Sequence, residues 1–81
     1  MSTTVRVYTK PDCVQCDWTK RALDQAGINY LTEDLRQPDN LEVVLHMGYK
    51  QAPVVVAGEE HWSGFQPERI KELAKRIGGN N

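Results

Sequence analysis

The chain has 81 residues, of which 40% are hydrophobic and 26% charged, and its ten basic and eleven acidic residues leave a formal net charge of -1. That length allows one domain with one small core. The charge balance offers no basic surplus for nucleic acid or an anionic membrane. The longest apolar run, Ala52-Pro53-Val54-Val55-Val56-Ala57, is far too short to span a bilayer, and Met1–Arg6 lacks the apolar stretch of a secretory leader. A cytoplasmic location is therefore expected. Disulfides there are usually transient or catalytic.

Val5-Arg6-Val7-Tyr8-Thr9 alternates and is rich in β-branched and aromatic residues, the pattern of a first strand. Pro11 and Asp12 interrupt it. From Val14 to Ala26 the apolar residues Val14, Trp18, Ala22, Leu23 and Ala26 recur at helical spacing, and Gly27 stands where a helix stops. On that spacing Trp18 reads as a core residue. Ile28–Leu35 suggests a second strand. Gln37-Pro38-Asp39-Asn40 reads as a turn, followed by a short helix with Leu41, Val44 and Leu45 that ends at Gly48. Pro53–Ala57 has the run of a buried strand. Gly58-Glu59 forms a hairpin tip and Glu60-His61-Trp62 the returning strand. After the bend Ser63-Gly64-Phe65, Pro67 opens a last helix with Ile70, Leu73, Ala74 and Ile77 on one face. Its charged residues, Glu68 to Arg76, form a solvated face with Glu68 and Glu72 spaced to pair with Lys71, Lys75 and Arg76. Residues 1–77 thus make one α/β domain in the order β-α-β-α-β-β-α, a four-stranded mixed sheet flanked by three helices. Residues 78–81, Gly-Gly-Asn-Asn, read as a flexible tail.

The only two cysteines are Cys13 and Cys16, in Lys10-Pro11-Asp12-Cys13-Val14-Gln15-Cys16. They follow a strand and open a helix. Residues three apart on a helix lie roughly 5–6 Å apart, a gap that a disulfide spans. Unpaired N–H groups and the positive end of the helix dipole favour a thiolate on the first cysteine. The second, one turn deeper, suits a resolving thiol. Lys10 reads either as a nearby positive charge or as a solvated loop lysine. A zinc site would need His46 and His61 as further ligands, and their spacing is not that of a finger. A purely structural disulfide closing so short a loop would restrain little. The reading from the residues is a redox-active Cys13–Cys16 pair with no metal.

Cys13-Val14-Gln15-Cys16, Thr19-Lys20, Ala52-Pro53-Val54-Val55 and Trp62-Ser63-Gly64-Phe65-Gln66-Pro67 resemble the NrdH-redoxins, a family of glutaredoxin-sized proteins with the thioredoxin fold. Gln66 departs from the family, many members of which carry Arg there. The resemblance covers nearly the whole chain. It implies a thiol–disulfide oxidoreductase that donates electrons to the large subunit of a class Ib ribonucleotide reductase. Recharging would come from thioredoxin reductase and NADPH rather than from glutathione. No cofactor would be bound, NADPH and FAD belonging to the partner reductase, and the protein would act as a monomer. Glutaredoxins of similar size usually carry Pro-Tyr between the cysteines and a Gly-Gly with acidic residues before the last helix; Val14-Gln15 and Ser63-Gly64-Phe65 take those places. The resemblance further implies that Pro53 is cis and faces the cysteines, leaving Ala52 to offer its backbone to a target strand. Val14, Gln15, Trp62, Ser63, Gly64 and Phe65 are candidate partner contacts. Trp62 and Phe65 have the competing reading that their rings pack beneath the last helix. A glutathione-dependent glutaredoxin and a metal- or iron–sulfur-binding module are the alternative functions.

Overall fold

The computed structural model describes residues 3–77; the tail expected over residues 78–81 lies outside them. The elements are β1 (Val5–Thr9), α1 (Val14–Gln25), β2 (Leu31–Asp34), α2 (Pro38–His46), β3 (Val54–Ala57), β4 (Glu60–Ser63) and α3 (Pro67–Arg76). The four strands form one sheet in the order β2-β1-β3-β4. β1 runs parallel to β2 and antiparallel to β3, and β3 is antiparallel to β4. A parallel neighbour needs a crossover, which α1 supplies, whereas the tight Gly58-Glu59 connection suits an antiparallel pair.

Alternation along the strands sends their side chains to two sides. Val5, Val7, Val55 and Ala57 pack with Trp62, with Leu23 and Ile28 from α1 and its exit, and with Ile70 and Leu73 of α3. On the opposite side Tyr8 and Val54 meet Val44 of α2, with Leu35, Tyr49 and Val56 alongside. β1 and β3 are therefore covered on both faces, which is why their sequence is so apolar. Glycines end the first two helices as their positions predict. Gly27 takes φ 75° and lets the Ile28 N–H reach back to the Leu23 carbonyl. Gly48 takes φ 94° and lets the Tyr49 N–H reach the Val44 carbonyl. Both are positive-φ exits that favour glycine.

Several expectations need correction. The Gln37–Asn40 segment is not a free turn, because α2 begins at Pro38. Proline tolerates the first helical turn since its missing N–H would have had no partner there. β2 is limited to Leu31–Asp34, and Ile28 is a buried contact of the α1 exit instead. The buried stripe of α1 is Cys16, Thr19 and Leu23. Val14 and Trp18 lie on the other side of the helix, 58% and 48% exposed. Apolar spacing holds for Leu23, Ala22 and Ala26, which lie in or against the core, and fails at the start of the helix, where a cysteine and a threonine take the buried positions. On α3 the expected pairing along the helix gives way to contacts with the sheet. Arg76 pairs with Glu60 of β4, and the Arg69 guanidinium lies 5.4 Å above the centre of the Trp62 ring. Among the described residues no helix is long and apolar enough to cross a membrane.

The division between buried Leu23 and exposed Trp18 is directly measurable. Leu23→Ala should cost about 2–5 kcal/mol, because it leaves a cavity in the core. Trp18→Ala should cost less than about 1 kcal/mol, as surface substitutions do. Urea midpoints of the two variants test the assignment, and equal losses would refute it.

Candidate active site

Three segments build the site: the entry to α1, the loop before β3, and the bend between β4 and α3. At the first, Asp12 takes φ 56°, an uncommon conformation that aspartate tolerates better than most residues. Cys13 is then extended and acts as the N-cap of α1. Its Sγ accepts a hydrogen bond from the Cys16 N–H at 3.2 Å, and its carbonyl accepts from the Asp17 N–H at 3.2 Å. The cap position usually holds Ser, Thr, Asp or Asn, whose oxygen accepts from an unpaired helix donor. Here a sulfur does so. A thiolate in the same place accepts more strongly and gains from the helix dipole.

Cys13 and Cys16 are joined by a disulfide, with their Cα atoms 5.2 Å apart. Cys13 is 9% exposed and Cys16 1%. Access to the pair therefore comes from the Cys13 side. Lys10 is exposed in the loop preceding the pair. Among the described residues no group of three or more His, Cys, Asp or Glu side chains is gathered in one place. His46 stands on α2, and His61 on β4 pairs through Nδ1 with the Tyr49 hydroxyl at 2.7 Å.

The second segment carries a cis peptide bond between Ala52 and Pro53. Pro53 is fully buried, and its carbonyl accepts from the Gly64 N–H at 2.8 Å. Gln51 is tied to the third segment as well, its carbonyl accepting from the Ser63 hydroxyl at 2.9 Å. The bend is also anchored to the cysteine turn. Gln15 Oε1 accepts from the Phe65 N–H at 3.0 Å. Gly64, at φ 85°, passes so close to Gln15 that a Cβ there would sit 3.4 Å from Oε1. Gln66 caps nothing on α3 but donates from Nε2 to the Ser63 carbonyl at 2.9 Å. Gln15, Ser63 and Gly64, candidate partner contacts by sequence, thus each make a hydrogen bond that holds the site together.

Of the two readings of Trp62, packing beneath the last helix holds and the partner contact is corrected. Its ring is 1% exposed, inside the core between the sheet and α3, so it presents no surface to a partner. The exposed aromatic on α1 is Trp18, whose ring lies 5.8 Å from that of Phe65 with the planes at 56°. This contact was missed because Trp18 reads as core from its spacing. Val14, one turn before Trp18, is exposed as well, and Phe65 is half-buried. Two buried polar atoms near this region lack hydrogen-bond partners, Thr19 Oγ1 and Trp62 Nε1. Leaving a buried hydroxyl unpaired costs about 1–3 kcal/mol.

The glutaredoxin family profile matches residues 5–62, from β1 into β4. The chain is 41% identical to the glutaredoxin-like protein NrdH of Escherichia coli (strain K12) over 70 residues, covering 85% of this chain and 86% of that one. Over 71 residues it is 35% identical to NrdH of Lactococcus lactis subsp. cremoris, covering 86% of this chain and 99% of the relative. This chain belongs to the glutaredoxin family, among its NrdH members. The solved NrdH-redoxin of Escherichia coli, described as having a thioredoxin-like activity profile, superposes with a TM-score of 0.83 at 41% identity, covering 86% of this chain and 93% of that one. Cys13 and Cys16 are accordingly the dithiol/disulfide pair of a thiol–disulfide oxidoreductase carried on a thioredoxin-type fold.

Gln15→Ala tests the tie between the cysteine turn and the bend. Losing the bond should cost about 0.5–1.5 kcal/mol of stability, a mean typical of a single hydrogen bond. Hydrogen exchange at the Phe65 amide should accelerate by up to about tenfold, while exchange in the middle of α1 is unchanged. An unchanged Phe65 rate would mean that Gln15 does not hold the bend.

Proposed function

We propose that this protein carries electrons from thioredoxin reductase and NADPH to a class Ib ribonucleotide reductase, in the cytoplasm, as a monomer. It would bind no cofactor itself. The observation that carries this reading is how the bend spends its backbone donors. The Gly64 N–H is taken by Pro53 and the Phe65 N–H by Gln15. Neither is left to hold the carboxylate of a small tripeptide such as glutathione. The exposed Val14 and Trp18, with Phe65 half-buried beside them, instead suit a broad protein contact, because large apolar groups left on a surface favour macromolecular partners. The thioredoxin-like activity profile of the Escherichia coli relative supports the same choice.

The chemistry assigned to the pair follows from exposure and capping. The Cys13 thiolate, the more accessible sulfur and the N-cap of α1, attacks one sulfur of the target disulfide. That bond breaks, its second sulfur leaves as a thiolate and takes a proton, and a Cys13–target mixed disulfide remains. Cys16 then attacks Cys13 Sγ, closing the Cys13–Cys16 bond and releasing the other target sulfur as a thiol. Two electrons have passed to the target, and two from the reductase reopen the pair. Lys10 adds positive charge to the approach. The Ala52 backbone, at the start of the buried β3 edge of the site, offers itself to the target segment.

Two experiments bear on this. NADPH oxidation coupled to reduction of insulin should proceed when thioredoxin reductase recharges the protein. It should not proceed with glutathione and glutathione reductase. Turnover with glutathione alone would instead identify a glutathione-dependent glutaredoxin. Cys16→Ser should accumulate a Cys13 mixed disulfide with the large subunit of the reductase, visible on a non-reducing gel. Full dithiol turnover by that variant would overturn the assignment of Cys16 as the resolving thiol.

A further inference from the structure

We infer that Thr19 is a positioning residue for the redox pair, whose hydroxyl is the hydrogen-bond donor awaiting the Cys16 sulfur in the reduced state. Thr19 is wholly buried, yet Oγ1 has no partner while the disulfide is closed. A helical threonine ordinarily satisfies itself on the carbonyl three or four residues back. Those are the carbonyls of Cys16 and Gln15, and Thr19 bonds neither. Its hydroxyl is thus held in the core, unpaired and free to turn.

The helix places it on the right side chain. Cys16, Thr19 and Leu23 form the buried stripe of α1. Residues three apart are neighbours on a helix face, and each Cα–Cβ bond leans toward the N-terminus. The Thr19 side chain therefore lies over the turn that carries Cys16. In the disulfide the Cys16 sulfur is drawn the other way, toward Cys13. A disulfide sulfur is also a poor acceptor. Reduction adds two electrons, breaks the sulfur–sulfur bond and obliges the two sulfurs to separate to non-bonded distance. Cys16 Sγ, now a thiol or thiolate in a buried site, needs a donor. Thr19 Oγ1–H lies one turn away with nothing else to bond. The hydroxyl thereby favours the reduced pair and orients Cys16 for the resolving step. In that step Cys16–SH and the Cys13 mixed disulfide become the Cys13–Cys16 disulfide and the free target thiol; Thr19 itself gains and loses nothing.

This rests on Cys16 as the resolving thiol, as proposed above, and not on which reductase or target is used. The test is an equilibrium one for that reason. The full-length protein, its Thr19→Val variant and its Thr19→Ser variant are equilibrated with dithiothreitol redox buffers, and the fraction of Cys13–Cys16 disulfide is read by thiol alkylation. Thr19→Val keeps the shape and loses the hydroxyl. It should shift the equilibrium about tenfold toward the disulfide, corresponding to about 30 mV for a two-electron couple. Thr19→Ser should restore the wild-type equilibrium. A Val variant within twofold of wild type would overturn the inference. So would an equal shift in both variants, which would mark a packing effect. Should the Val variant not fold, the wild-type protein decides alone. Its Thr19 hydroxyl proton should be seen by NMR as slowly exchanging and shifted downfield only after reduction. The same resonance in both redox states would refute the role.

Discussion

One hydrogen bond, from the Cys16 N–H to Cys13 Sγ, joins folding to chemistry in this protein. It starts α1 at Val14 by satisfying a donor that the helix leaves unpaired. The same geometry puts the sulfur of Cys13 at the positive end of the helix, where negative charge is favoured. Because α1 is the crossover between the parallel strands β1 and β2, the cap also fixes where the redox pair sits relative to the sheet. Cys13 points to the surface at the end of β1. Cys16, three residues on, is directed into the core. The difference in access between two neighbouring cysteines is thus a consequence of helix periodicity.

Around that cap the molecule spends backbone polar groups on itself. The Gln51–Pro53 loop and the Ser63–Gln66 bend are tied to each other by two hydrogen bonds and to the cysteine turn by Gln15. Two of these bonds close the open end of the β3–β4 hairpin, and the third joins it to the cysteine turn fifty residues away, so the site is held by contacts between segments rather than by any one loop. The glycine at 64 matters in this setting for two reasons, its positive φ and its closeness to Gln15. The apolar side chains of Val14 and Trp18 stay outside this network, with Phe65 half-buried beside Trp18.

Packing explains which residues form that surface. α1 has few large apolar side chains, and it buries Cys16, Thr19 and Leu23 against the sheet and α3. Trp62 fills the space on the same side of the sheet, from β4. With that volume occupied, Trp18 is left outside, where it meets Phe65 across the entry to α3. Of the two tryptophans, only Trp18 leaves the place that its spacing suggests. The one buried by the sheet is the one that neighbours the exposed-looking Ser-Gly bend.

Local chemistry in the chain determined the order of elements, the helix stops at Gly27 and Gly48, and the position of the cysteine pair between a strand and a helix. These depend on residues close in sequence: a positive φ, a missing proline N–H, an alternation of period two. The cysteines were legible for the same reason, since a pair three residues apart at a helix start carries its own geometry. What only the tertiary structure decided was which residues at the start of α1 are buried, that Trp18 stays outside, and which polar atoms find partners. Thr19 has no place in the apolar spacing of α1 and is wholly buried; Gln15 reads as a partner contact and is bonded to Phe65, fifty residues away. Such outcomes depend on how volume is filled and donors are paired between distant segments, and no stretch of sequence contains both halves of such a contact.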